Sequence, residues 1–155
     1  MKKKTSRQRA QGRLGRVRLG ARFQRAFEFA SEKHRTQTRK ASTIPYIAHL
    51  IGVASLVLEA GGDEDLAIAA LLHDVVEDCG GAEILKEVRR RFGKRVADIV
   101  DGCTDAYEMP KPPWHERKVS YINRLKKENG DTRLVSAADK LHNVRSILSD
   151  YRALG

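Results

Sequence analysis

The chain has 155 residues, of which 41% are apolar and 6% aromatic, and it carries a formal net charge of +10. That length supports one domain with one sizeable core and excludes two, and the apolar share is that of a globular protein. No run approaches the ~18 consecutive apolar residues of a membrane span. The two cysteines, Cys79 and Cys103, lack the C-x-x-C spacing of a metal site, and both read as reduced thiols of a cytoplasmic protein.

The charge is uneven. Residues 1–25 hold ten Lys or Arg and no acid, whereas residues 26–155 hold twenty basic and twenty acidic residues. The excess therefore belongs mainly to a tail, residues 1–21, ahead of a domain over 22–155, and residues 26–155 are formally neutral. The tail has almost no large apolar residues and cannot bury enough surface to offset its chain entropy. It reads either as a disordered solubilising arm or as a loose electrostatic contact with nucleic acid or an anionic surface. It lacks the apolar stretch of a secretory signal.

Rare proline and the absence of long period-two alternation predict an all-α fold of about seven helices. Arg22 to about Arg35 places Phe23, Ala26, Phe27 and Ala30 on one face, and Thr36 to Pro45 is a polar loop. Tyr46 to Ala60 is a second helix, ended by Gly61 and Gly62. Asp63 is a good N-cap for a helix running to about Asp78, with Asp65 close behind to complement the helix dipole. Ala82–Phe92 and Lys94 to about Cys103 form a short pair around Gly93. A loop with three prolines precedes an amphipathic helix, Trp114–Glu128. Asn129-Gly130 is a turn, and Asp131 to about Leu154 closes the chain.

The most apolar segment is LAIAALLHDVV, Leu66–Val76. A helix apolar all round belongs at the centre of a domain. Yet His73, Asp74, Glu77 and Asp78 stand at its C-terminal end, where acids oppose the helix dipole. Three acids beside an apolar core are costly unless paired or bound to a cation. Two more polar intrusions lie elsewhere. Asp139 interrupts the stripe Leu134, Val135, Ala138 and Leu141, with Asn143 one turn on, and His49 sits in PYIAHLIGV. A lone His there is more often a hydrogen-bonded core residue, but three helices each placing polar groups in an apolar face make a plausible site. His49, His73, Asp74 and Asp139 supply two imidazoles and two carboxylates, a mixed N/O set suited to Mn, Fe, Zn or a similar divalent ion. Such an ion activates water toward a phosphoryl centre, and Glu77 and Asp78 are placed to orient or deprotonate that water.

HDVVED, preceded by PYIAH with the histidines 24 positions apart and followed by ADKLHN, resembles the HD superfamily of phosphohydrolases. Within it the match is to the hydrolase domain of the RelA/SpoT proteins and the small alarmone hydrolases, over roughly residues 23–150. The resemblance implies an HD-domain helical bundle that removes the 3′-pyrophosphate of (p)ppGpp, giving GDP or GTP and pyrophosphate. It implies His49, His73, Asp74 and Asp139 as ligands of one metal ion, usually Mn2+, and Glu77 and Asp78 as the pair that positions water. It also implies Arg39 and Lys40 as the guanine- and phosphate-contacting pair and Asn143 as a sugar-phosphate contact. His34 matches a recurrent family His that is not a ligand, and His142 and His115 read as structural or exposed. One departure is clear: the family's Lys three residues before the final Asp is Ser136 here. An HD hydrolase of another nucleotide or phosphoester, or a non-catalytic HD protein, are the alternatives.

Deleting residues 1–20 is expected to leave the melting temperature nearly unchanged in a calorimetric scan. Any nucleic-acid affinity should drop with the deletion, and in the intact chain it should fall steeply with salt.

Overall fold

The computed structural model describes residues 17–40, 42–107 and 113–154. The expectations for the basic tail fall mostly on residues 1–16, outside the described residues. Eight helices are present among the described residues: α1 (Ala21–Lys33), α2 (Ile47–Glu59), α3 (Glu64–Leu72), α4 (Val75–Cys79), α5 (Gly81–Phe92), α6 (Lys94–Cys103), α7 (Trp114–Leu125) and α8 (Gly130–Leu154). The all-α expectation holds, and the count exceeds seven because the helix expected from Asp63 to Asp78 is two.

α3 is the axis of the domain. Every residue from Leu66 to Leu72 is buried, and the helix packs against α1, α2, α6 and α8. Its start follows the sequence: Asp63 Oδ1 accepts the Leu66 amide at 3.0 Å, and Glu64 and Asp65 occupy the first turn. Its end does not. His73 Nδ1 reaches the Ala70 carbonyl at 2.8 Å, competing for the acceptor that a continuing helix would give to the Asp74 amide. Asp74 turns to φ −99°, ψ −8°, away from helical values, and α4 sets off after it.

Two apolar faces also differ from expectation. In α1 it is Ala26, Phe29 and Ala30 that are buried, while Phe27 is 38% exposed. Phe29 meets Phe92 of α5 with ring centroids 5.8 Å apart, and that contact rotates the helix. In α8, Val135 and Ala138 are buried and Leu134 packs against the core, but Leu141 is 45% exposed. At ~1.5 Å per residue α8 outruns the bundle, leaving Val144, Ile147, Leu148 and Tyr151 exposed.

The 36–45 loop is a small hairpin. Arg39 N donates to Ile44 O and Tyr46 N donates to Gln37 O, each at 2.9 Å, around an isolated bridge between Thr38 and Pro45. α1 begins at Ala21, and the Gly20 amide donates to Glu64 Oε1 at 2.6 Å. The folded unit thus includes two residues that the sequence reading gave to the tail. No helix among the described residues is long and apolar enough to cross a membrane.

Because α3 is enclosed on all sides, Leu71, 1% exposed, has no room to relax into when truncated. Leu71→Ala is expected to lower stability by about 2–5 kcal/mol in urea unfolding at an unchanged m-value.

Candidate active site

The bend after Leu72 puts two consecutive side chains, His73 and Asp74, at the end of the most buried helix. α2 brings His49 to them from its first turn, and α8 brings Asp139. His49 and His73 are buried and so is Asp139. His73 Nε2 lies 3.0 Å from Asp74 Oδ2 and 3.6 Å from Asp139 Oδ1. His49 Nε2 lies 3.2 Å from Asp139 Oδ1 and 3.7 Å from Asp74 Oδ2. The ligand atoms of His49, His73 and Asp74 all fall within 4.8 Å of one another.

These spacings suit ligands of one cation. Donor atoms held ~2.1 Å from a single ion at tetrahedral to octahedral angles stand about 3.0–3.4 Å apart. The two Nε2 atoms are buried, and neither has a hydrogen-bond partner among the described residues. The carboxylate oxygens are near them but off the line of an N–H bond, as ligands sharing a centre would be. The tautomer of His73 agrees. A carbonyl only accepts, so Nδ1 carries the proton bonded to Ala70, and Nε2 is the nitrogen left to bind a cation once it is deprotonated.

The electrostatics fit the same reading. Burial alone would favour protonated Asp74 and Asp139, yet the charge of His73 beside Asp74 and the two imidazoles facing Asp139 hold the two carboxyls far below the usual range. Burial would likewise discharge His73, but Asp74 and Asp139 outweigh it and push its pKa up to about 10. Burial lowers the pKa of His49. In the protein alone, a proton on His73 therefore balances the carboxylates, and a cation binding there must displace it.

Neighbouring groups hold each carboxylate. Tyr46 donates its hydroxyl to Asp74 Oδ2 at 2.6 Å, while its ring stacks on His34 at 5.1 Å and lies 5.8 Å from the Arg39 guanidinium. Asp139 Oδ2 accepts Lys140 Nζ at 2.6 Å, and Asp139 Oδ1 accepts Asn143 Nδ2 at 2.5 Å. Arg39 in turn donates to Asn143 Oδ1 at 2.8 Å, so the hairpin is bonded to α8 beside the site. Lys40 is exposed next to it.

Glu77 and Asp78 follow Asp74 by one turn on α4. Glu77 Oε2 accepts the Asp105 amide at 3.2 Å, and its other oxygen stands 4.0 Å from Arg117. Asp78 accepts Gln37 Nε2 at 2.9 Å. His34 is buried and bonds Gln37 Oε1 at 2.6 Å, away from the ligand set, and His115 is exposed. Ser136 faces inward and shares a hydrogen bond of 2.7 Å with the Tyr121 hydroxyl, while Lys140 Nζ stands 5.3 Å from the Tyr121 ring centroid. Asp139 keeps an ammonium partner in Lys140, which belongs to the ADKLHN motif itself. Two residues escaped the sequence reading. Tyr46 sits inside the PYIAH motif and its spacing from His49 was the available signal. His142, read as structural or exposed, lies half-buried with Nδ1 2.9 Å from His49 Nδ1.

The HD domain family model matches residues 26–153. The chain belongs to the HD domain family. A mouse relative named guanosine-3′,5′-bis(diphosphate) 3′-pyrophosphohydrolase MESH1 is 40% identical over 125 residues, covering 79% of this chain and 67% of its own length. An Aquifex aeolicus protein with the same enzymatic name is 37% identical over 125 residues, covering 81% of this chain but 18% of its own length. The chain therefore spans about two thirds of the former and less than a fifth of the latter. A solved structure described as a metazoan ortholog of SpoT that hydrolyses ppGpp superimposes with a TM-score of 0.76 at 34% identity, over 86% of this chain and 74% of that one.

Protein purified without chelator is expected to carry one divalent ion per chain by elemental analysis. Asp74→Asn should lose that ion, while Glu77→Gln should keep it, because only the first removes a charge from the four-donor cluster.

Proposed function

We propose that this HD-domain protein is a metal-dependent hydrolase of guanosine 3′,5′-bis(diphosphate) and its 5′-triphosphate counterpart, with Mn2+ as its ion. It removes the 3′-pyrophosphate. Water oxygen bonds to the phosphorus carried by the 3′ oxygen, the bond between that phosphorus and the 3′ oxygen breaks, and the 3′ oxygen takes up a proton. The products are GDP or GTP and pyrophosphate. The observation that carries the reading is the complete donor set, with two orphaned Nε2 atoms facing Asp74 and Asp139, in a chain whose relatives bear this enzymatic name. Two buried imidazoles and a buried carboxylate, with half-buried Asp74 beside them, are costly to keep together unless they bind a cation.

The ion, when bound, supplies Lewis acidity to a phosphoryl oxygen and lowers the pKa of a bound water. The chain's own groups do the rest. Glu77 and Asp78 orient the attacking water and accept its proton. Glu77 is steadied for this by the Asp105 amide, and Asp78 by Gln37. Asn143 takes the sugar-phosphate region and Arg39 stacks on guanine, with Lys40 on phosphate. Arg39 and Asn143 are already in contact, and Asn143 touches Asp139, so base recognition and the cation site adjoin. The planar guanidinium suits stacking in a way that an ammonium does not. The reading places the chain in the cytoplasm, where its two free cysteines stay reduced.

The test is incubation of metal-loaded protein with ppGpp, pppGpp and ordinary nucleoside phosphates, with products resolved by anion-exchange chromatography. Hydrolysis of the alarmones to GDP or GTP is expected, and it should stop in excess chelator. Arg39→Ala should raise KM for ppGpp by about tenfold with a smaller change in kcat, because it removes binding common to ground and transition states. A preference for ordinary nucleotides would overturn the alarmone assignment and leave the HD hydrolase standing.

A further inference from the structure

His142 has no role in the reaction as described, yet it is built into the cation site. It follows Asp139 by three residues on α8, so both side chains leave the helix on one side. Its Nδ1 lies 2.9 Å from His49 Nδ1, and the rings meet edge to face with centroids 4.8 Å apart at 67°. The opposite edge of the ring rests on Gly52, one turn beyond His49 on α2. A Cβ at position 52 would stand 2.2 Å from His142 Nε2 and 2.3 Å from Cδ2. Glycine is disfavoured in a helix interior relative to alanine. Here it gives the Nε2–Cδ2 edge of the imidazole room against α2.

The Nδ1-to-Nδ1 contact has one consistent proton arrangement if His49 is a ligand. A hydrogen bond between the two nitrogens needs a proton on one and a lone pair on the other. His49 Nε2 is the atom that faces the carboxylates, and it must carry a lone pair to bind a cation. The His49 proton is therefore on Nδ1, and His142 Nδ1 accepts it. The proton of His142 is then on Nε2, above Gly52. Metal-bound histidines generally donate their second N–H to a carboxylate, a carbonyl or water, and loss of that acceptor weakens binding. In this protein a neutral ring takes that place, beside a site that already holds two carboxylates.

We infer that His142, seated on Gly52, is the acceptor that fixes the His49 tautomer and ring orientation and thereby sets the affinity of the cation site. The inference rests on His49 being a cation ligand and is independent of which nucleotide is hydrolysed.

Six variants of the full chain separate this role from packing, the last two being His142→Ala with and without Gly52→Ala. His142→Asn keeps an acceptor oxygen where Nδ1 was, His142→Gln carries its polar group one bond further out, and His142→Leu has none. Gly52→Ala pushes the native ring away. Each chain is stripped with chelator and titrated with Co2+, followed by visible absorption, and its melting temperature is measured in chelator. Binding close to that of the wild type is expected for His142→Asn. His142→Gln, His142→Leu and Gly52→Ala should each weaken Co2+ binding by about 10- to 100-fold. A role in packing alone would rank the variants by volume, with Asn the worst. Gly52→Ala should add little in a His142→Ala background, because the ring it displaces is gone. Equal loss for Asn and Gln, unchanged affinity in His142→Leu, or full additivity of Gly52→Ala with His142→Ala would each overturn the inference while leaving the hydrolase assignment intact. A wild type that binds no Co2+ would overturn the ligand set as well.

Discussion

Two carboxylates and two imidazoles share a space at the end of a helix with seven consecutive buried apolar residues, Leu66–Leu72. Withdrawing such groups from water costs several kcal/mol per ion unless each is matched. The surrounding structure does that matching. Tyr46 serves Asp74, and Lys140 and Asn143 serve Asp139. The Ala70 carbonyl serves His73, and His142 serves His49. These partners come from the hairpin end, α3 and α8, so the packing of three sequence-distant segments is tied to one polar centre. The bend at His73–Asp74 belongs to the same constraint. A straight helix would carry the two side chains about 100° apart around its axis, whereas the bend lets both reach the same neighbours.

Much of this was legible in the sequence, for identifiable reasons. The start of α3 was readable because an N-cap and an acidic first turn are local chemistry. The meeting of His49, His73, Asp74 and Asp139 was readable because each breaks an apolar pattern, and a broken pattern is visible without a structure. The end of α3 was not readable, since it depends on a side chain competing for a backbone acceptor. Phe29 and Phe27 lie two residues apart and both suit a helical stripe. Only the encounter of Phe29 with Phe92 decides between them. His142 was illegible for a similar reason. Its importance arises from Gly52, 90 positions earlier, whose missing side chain creates the space.

Ser136 departs from the family pattern without leaving its own buried hydroxyl unpaired. Read alone, it removes a cation from the approach to Asp139. In the fold, Ser136 bonds Tyr121, and the ammonium of Lys140 sits near the Tyr121 ring while bonding Asp139. Positive charge at Asp139 is retained from the adjacent residue on the same helix. That arrangement links α7 to α8 through Tyr121, next to the carboxylate.

The hairpin over residues 36–45 is held in place from several sides. Its strands bond each other, Gln37 is bonded to α4 through Asp78, and Arg39 is bonded to α8 through Asn143. Ordering a free loop costs roughly 1–2 kcal/mol per residue, and in this protein that ordering is completed during folding. A ligand that approached Arg39 would meet side chains already bonded to one another. Less of such a ligand's binding free energy would then be lost to ordering those contacts.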